Sequence, residues 1–285
     1  MKKTKFSPEL QKATGPIPYN MTADYLFRIV LQENKEALQG LLRALLHLEE
    51  SDSIETLIKN PIVVGKSIVD KEYRMDVLVI VNGTRRINLE MQNENQGNWP
   101  DRSLLYLCRS YDKLLRGDNY SESMSALHIG FLDFPLFPNH REFYGTYRMC
   151  NVKDGFHYND KFSLSVIELN WIDIATEEDK RYKIDQWARL FKAKTWEDLK
   201  MIAQNNSAMA ATANSIFQYD ADEAILKQIE DREDALREAL RTKKRMDDLE
   251  RENAEQKDTI AEQKDTITRQ NEEIARLQAA LAAKQ

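Results

Sequence analysis

The chain has 285 residues, 42% hydrophobic and 31% charged, enough for one substantial domain plus an appendage. Its net charge of −6 is concentrated late: from Asp220 onward there are 18 acidic and 13 basic residues, leaving 29 acids against 28 bases before it. A near-neutral body excludes strong bulk attraction to phosphate, so any nucleic-acid contact needs a local basic patch.

The N-terminal stretch 1–12 is polar and predicts no signal peptide. No run approaches the ~20 apolar residues of a membrane helix, so no membrane partner is expected. Cys108 and Cys150 are isolated in sequence, which fits a reduced, cytoplasmic protein.

In chain order, residues 1–19 carry Pro8, Gly15, Pro16 and Pro18 and read as an irregular leader. Asn20 or Thr22 can cap a helix starting near Ala23, and a second helix is expected over 35–48, with Leu38, Leu41, Leu42 and Leu45 on its buried side. The period then changes to two. Strands are expected at 62–69, 73–81 and 86–92, the last two joined at Asn82-Gly83. A helix over 101–116 ends at Gly117. Strands at 126–134, 143–149 and 162–169 follow, then helices at 177–192, 196–204 and 208–217. This order predicts an α/β domain over 20–219 built around one sheet.

The last segment, 220–285, has neither Gly nor Pro after Asp220, and it contains a repeat, Glu255–Ala261 followed by Glu262–Thr268. Met246, Asn253, Ile260, Ile267, Ile274 and Leu281 recur every seven residues, with Leu249, Gln256, Gln263, Gln270 and Leu277 three positions after the first five. The pattern is a heptad with mostly apolar a and mostly polar d positions. It predicts an oligomerising coiled coil, with a solvated single helix as the competing reading.

The chemistry-bearing segment runs from Tyr73 to Gln92. Ile87, Leu89 and Met91 share one strand face, and Asn88, Glu90 and Gln92 the other. For the apolar faces to coincide, Val77 must lie near Leu89 and Val79 near Ile87. That register sets Asp76 opposite Glu90 across a three-residue connection, Asn82-Gly83-Thr84. Two such carboxylates repel unless a cation lies between them, and hard oxygen ligands suit Mg²⁺ or Mn²⁺. Gln92 can orient a water or hold a phosphate oxygen. An Asp, a Glu and a Gln on a solvated sheet face give the same pattern. On the next helix, Arg102, Arg109, Lys113 and Arg116 fall in one sector, suited to tracking a phosphate backbone or to plain solvation.

These motifs together resemble a known family. Arg74-Met-Asp76-Val, Ile87-Asn-Leu-Glu90-Met-Gln92, Arg102 and the Tyr106/Tyr111 helix are similar to the recombination-promoting nuclease and transposase family, within the PD-(D/E)XK nuclease superfamily. The Thr22–Val30 opening, the Phe131–Pro135 strand end and the Val166–Leu169 strand also fit, so the resemblance spans about 20–193. It implies a restriction-endonuclease-like αβββαβ core, followed here by helices and the C-terminal coil. It also implies Mg²⁺-dependent cleavage of DNA, with Asp76 and Glu90 as metal ligands. Gln92 stands where the superfamily usually has lysine, as is common in this family. Without that positive charge, either the rate is low or another residue, such as Lys66, Lys71 or Arg102, supplies it. Asp24 is either a third ligand or an acidic first-turn residue, the second being favoured.

The competing function is a binding or oligomeric scaffold built on a silent nuclease core. Gly65-Lys66-Ser67 is no phosphate-binding loop, because position 60 is Asn. The four histidines lack zinc spacing and read as structural or surface residues. Cys108 reads as core, Glu168 as a strand-end surface residue, and Trp187, Leu190 and Phe191 as packing.

Overall fold

The computed structural model describes residues 6–59, 76–111 and 123–282. The expected strand at 62–69, the start of the strand at 73–81, Lys66, Lys71, Lys113, Arg116 and the helix end at Gly117 lie outside those residues. The chain divides into two compact units, Met1–Arg232 and Glu233–Gln285.

The first unit is a mixed α/β domain. In chain order it contains α1 (Pro8–Lys12), α2 (Asp24–Glu33), α3 (Lys35–Leu45), β1 (Thr56–Ile58), β2 (Val77–Val81), β3 (Arg85–Gln92), α4 (Trp99–Tyr111), β4 (Ser125–Leu132), β5 (Tyr144–Arg148) and β6 (Phe162–Glu168). A 3-10 stretch (Leu169–Ile174) leads into α5 (Glu177–Arg181), α6 (Ile184–Phe191), α7 (Trp196–Ala203) and α8 (Ser207–Asp220). Helix α9 (Glu223–Ala282) begins here, and Ile225 and Ile229 are buried in this unit.

Six strands form one sheet in the order β1-β2-β3-β4-β6-β5. The β2–β3 hairpin is antiparallel, whereas β3, β4 and β6 run parallel. Parallel neighbours need crossover connections, and α4 lies on the first of them. The sheet is covered on both faces. Ile87, Leu89, Ile129, Phe131 and Ile167 enter the large core with α2, α3, α6 and α8. Ala126, Leu132, Leu164 and Val166 enter a smaller core beneath Trp99 and Leu107 of α4.

The hairpin has the register that hydrophobic patterning requires: Val77 pairs with Leu89 and Val79 with Ile87. Asn82 (φ 49°) and Gly83 (φ 66°) both take left-handed conformations at its turn, the reason this dipeptide marks it.

Several expectations need correction. The leader contains α1, because Ser7 caps Leu10 N–H and Pro8 suits the first helical turn. Helix α2 starts from Ala23 without a side-chain cap, while Asn20 instead accepts from the Thr22 N–H and hydroxyl. The expected helix over 177–192 is two, separated where Lys183 adopts φ 61°. Strand β1 is only three residues long, too short for a legible period.

Glu233 onward, α9 forms the second unit as a single exposed helix. Met246, Ile260, Ile267 and Ile274 are 50–58% exposed there. Among the described residues, no helix is long and apolar enough to cross a membrane.

Candidate active site

The hairpin register carried one step past β2 puts Asp76 across from Glu90. Both are buried, Glu90 completely. Asp76 is fixed from two sides. Its carbonyl oxygen accepts from Arg28 Nε at 3.3 Å and Gln32 Nε2 at 2.9 Å, and its Oδ2 accepts from Met91 N–H at 3.1 Å. Asp24, Arg28 and Gln32 recur every fourth residue of α2, so one stripe of that helix faces the hairpin. Arg28 and Gln32 escape a reading based on composition, because polar residues within a buried helix look incidental. Their spacing from Asp24 is the signal that finds them.

Helix α4 closes the other side. Arg102 Nη2 lies 2.5 Å from Glu90 Oε1, and Arg102 Nη1 donates to Gln92 Oε1 at 3.1 Å. Gln92 Nε2 donates to the Glu94 carbonyl at 3.0 Å. Gln92 is therefore held at both ends of its amide. Arg102 also sits over the Tyr106 ring, 5.4 Å from its centre. Arg102 thus belongs to the carboxylate cluster rather than to a solvated stripe. Arg109 is half-buried on the same helix. The face that α4 buries is set by Trp99, Ser103, Tyr106, Leu107 and Ser110. Leu104 and Cys108 consequently point away from the core and are exposed, contrary to the expectation for Cys108.

Beneath Glu90 lies His128, fully buried. The parallel pairing sets His128 beside Asn88 and Gly130 beside Glu90. Asn88 Nδ2 lies 2.9 Å from His128 Nδ1, while His128 Nε2 is 3.6 Å from Glu90 Oε2. An amide N–H donated to Nδ1 leaves the ring proton on Nε2, directed at the carboxylate. Trp99 and Tyr106 flank the ring at 5.6 and 6.0 Å. A Cβ at Gly130 would collide with the Trp99 ring, so glycine there lets α4 approach the sheet. In sequence, His128 is a lone histidine in an apolar run. Only the parallel register brings it under Glu90. Glu168 also departs from expectation: it is buried at the end of β6, accepting from Leu136 N–H and Trp171 Nε1.

Burial dominates the electrostatics. Desolvation raises the Asp76 pKa well above 3.8, and repulsion by Asp24 and Glu90 adds to it, against Arg28 and the Met91 N–H. Desolvation pushes Glu90 from 4.5 to about 7; Arg102 opposes this and Asp24 reinforces it. Desolvation, then Arg102, lowers His128 to about 3, so its ring is neutral. Desolvation would lower the Arg102 pKa, but Glu90, Tyr106 and Asp76 outweigh it and raise it, so the guanidinium stays charged. Asp24 Oδ2 pairs with Arg232 Nη1 at 3.1 Å, while its Oδ1 is buried without a hydrogen-bond partner.

A buried carboxylate pair whose proton affinity is raised mainly by desolvation is also a pair that a cation would stabilise. The donor set is hard oxygen, suited to Mg²⁺ or Mn²⁺. Among the described residues, no three Asp, Glu, His or Cys side chains form a complete metal cage. Mg²⁺ does not require one, since it commonly binds through one or two carboxylates with water and phosphate filling the other positions.

A family model described as PD-(D/E)XK nuclease family transposase matches residues 21–245. No curated protein and no solved structure matches the chain.

Proposed function

Because the chain belongs to the PD-(D/E)XK nuclease family transposases, we propose that it is a Mg²⁺- or Mn²⁺-dependent DNA endonuclease serving recombination, transposition or a related mobile-element activity. The observation that supports this best is the buried Asp76–Glu90 pair, brought together by the hairpin register. Asp76 and Glu90 would hold the divalent ion. Bound there, it would polarise a phosphate oxygen, acidify a water and stabilise the leaving oxygen.

The chain's own groups have separable roles in this reading. Arg28, Gln32 and Met91 N–H hold Asp76 in place. Gln92 orients a water or a phosphate oxygen through its amide. Arg102 supplies the positive charge that Gln92 lacks. Once Glu90 is neutralised by another cation, the guanidinium is available to a phosphate oxygen, which it can grip with two N–H groups. Arg109, Lys113 and Arg116 would contact the phosphates of the DNA backbone. Asp24, engaged by Arg232, acts through its charge on the pair rather than as a third ligand. The domain limits that go with this reading are a leader over 1–19, the nuclease domain over 20–219 and an oligomerising coiled coil over 220–285. The setting is cytoplasmic.

One observation favours a second reading. Arg102 already neutralises Glu90, and the usual lysine is absent, a set that also suits a silent DNA-binding or oligomeric scaffold. Nicking of supercoiled plasmid separates the two. Metal-dependent cutting that EDTA stops and Asp76→Ala abolishes is the expected result. No cutting by either protein with Mg²⁺ or Mn²⁺ would favour the scaffold, and equal cutting by both would reject the assigned site.

A further inference from the structure

The exposed apolar stripe of α9 is arranged for one kind of partner. Met246, Leu249, Ile260, Ile267, Ile274 and Leu277 are each at least 50% exposed, although their spacing puts them on one seam. We infer that residues 246–281 form a parallel, in-register, two-stranded coiled coil with a second copy of this chain. The inference rests on reading this stretch as an oligomerising coil, and it adds chain direction, register and strand number.

Direction follows from which layers would meet. In a parallel, in-register pair every a residue faces its own copy. Ile260, Ile267 and Ile274 then form three apolar layers, and Leu249 and Leu277 form two more. The remaining central layers join Asn253 to Asn253, Gln256 to Gln256, Gln263 to Gln263 and Gln270 to Gln270. Each side-chain amide has both a donor and an acceptor, so paired copies can satisfy one another. An antiparallel pair instead sets a against d. Each central isoleucine would then face a glutamine, burying an amide against a methyl group with no partner of its own kind. A lone Asn among the a positions and β-branched isoleucine at that position both favour two parallel strands in one register.

The flanking charges select the same arrangement. In a parallel pair each g residue faces the e residue five positions later on the other chain. Arg245 then meets Glu250, and Glu252 meets Lys257, both attractive. Lower down, Thr259 faces Lys264 and Glu273 faces Gln278, so no like charges oppose each other. Within the chain, Arg251 pairs with Asp248, and Arg276 lies 3.9 Å from the g residue Glu273, whose interchain neighbour Gln278 is uncharged. The two threonine hydroxyls at g are turned back onto the helix, donating to the Glu255 and Glu262 carbonyls at 2.9 Å. They leave no unsatisfied donor at the seam.

The test uses the full-length chain. Light scattering should give twice the 33.3 kDa chain mass, and Ile267→Lys should return it to the single-chain value. A monomeric wild type would overturn the coil itself, and a trimer or tetramer would overturn the strand number. Direction and register are read separately. With the exposed Cys108 and Cys150 changed to serine, Ile274→Cys should form an interchain disulfide on oxidation. Glu252→Lys and Lys257→Glu should each weaken the dimer about tenfold, and the double exchange should restore it. These two positions are five apart, too far round one helix to pair, so restoration would report contact between chains. A dimer that neither cross-links at 274 nor recovers in the double exchange would overturn direction and register while leaving the nuclease reading untouched.

Discussion

The two faces of β3 are both buried, but for opposite reasons. Ile87, Leu89 and Met91 join the large core, where burial is itself the stabilising force. Asn88, Glu90 and Gln92 are as deeply enclosed, yet each is a polar group whose burial costs free energy unless it is compensated. Compensation there is incomplete: Glu90 leans on Arg102, its Oε2 accepts no hydrogen bond, and desolvation raises its pKa to about 7. One face holds the strand in place and the other stores an electrostatic demand that a cation and a phosphate would meet. Stability and activity should therefore separate by face.

The largest separation is expected at Asp76. Asp76→Asn should cut metal-dependent cleavage about a thousandfold, roughly 4 kcal/mol of transition-state stabilisation. Its melting temperature at pH 8 without metal should stay level or rise, because repulsion from Asp24 and Glu90 is relieved. A large loss of stability would erase the contrast. On the opposite face, Leu89→Ala should cost about 2–5 kcal/mol in denaturant unfolding. Its residual folded fraction should keep the specific activity of the parent.

A comparable effect should appear with pH. With its folded pKa raised from 4.5 to about 7, Glu90 binds more protons folded than unfolded between those values. Its contribution is complete below about 4.5 and is lost as pH rises through about 7. The shift corresponds to roughly 3 kcal/mol. Asp76 is shifted in the same direction. Metal-free protein should therefore lose melting temperature across this window, and Mg²⁺ should restore more of it at pH 8 than at pH 5. Gly130→Ala should cost about 1–3 kcal/mol by pushing Trp99 outward. Because Trp99 and Arg102 share α4, cleavage should fall by more than the stability loss explains. The smallest change is expected from Arg102→Ala in the metal-free protein. It removes the cation that lowers the Glu90 pKa, so the midpoint of the pH-dependent stability loss should move upward.

How much of this is legible in the sequence depends on the range of the contacts. The hairpin is a local object: alternation in Val77–Val81 and Ile87–Met91, with Asn82-Gly83 between, fixes which residues face each other. Asp76, Glu90 and Gln92 follow from it. Arg102 is legible as a residue but not as a contact, since a helical projection cannot say whether an arginine faces solvent or the strand below. His128 requires the β3–β4 pairing, a parallel contact across 40 residues. Arg28 and Gln32 share a stripe with Asp24 that the sequence shows, but their contact with Asp76 spans more than 40 residues and is not legible there. Cys108 shows the converse: neighbouring leucines suggest core, but Trp99, Tyr106 and Leu107 orient the helix and leave the thiol outside.

The most direct measurement is binding of Mn²⁺ to the purified full-length protein at pH 7.5, followed by the loss of the free-ion electron paramagnetic resonance signal. We expect one Mn²⁺ site per chain in the wild type, competed by Mg²⁺ and lost in both Asp76→Asn and Glu90→Gln. Equal binding by the wild type and both variants, or no binding by the wild type, would contradict a metal centre at this carboxylate pair.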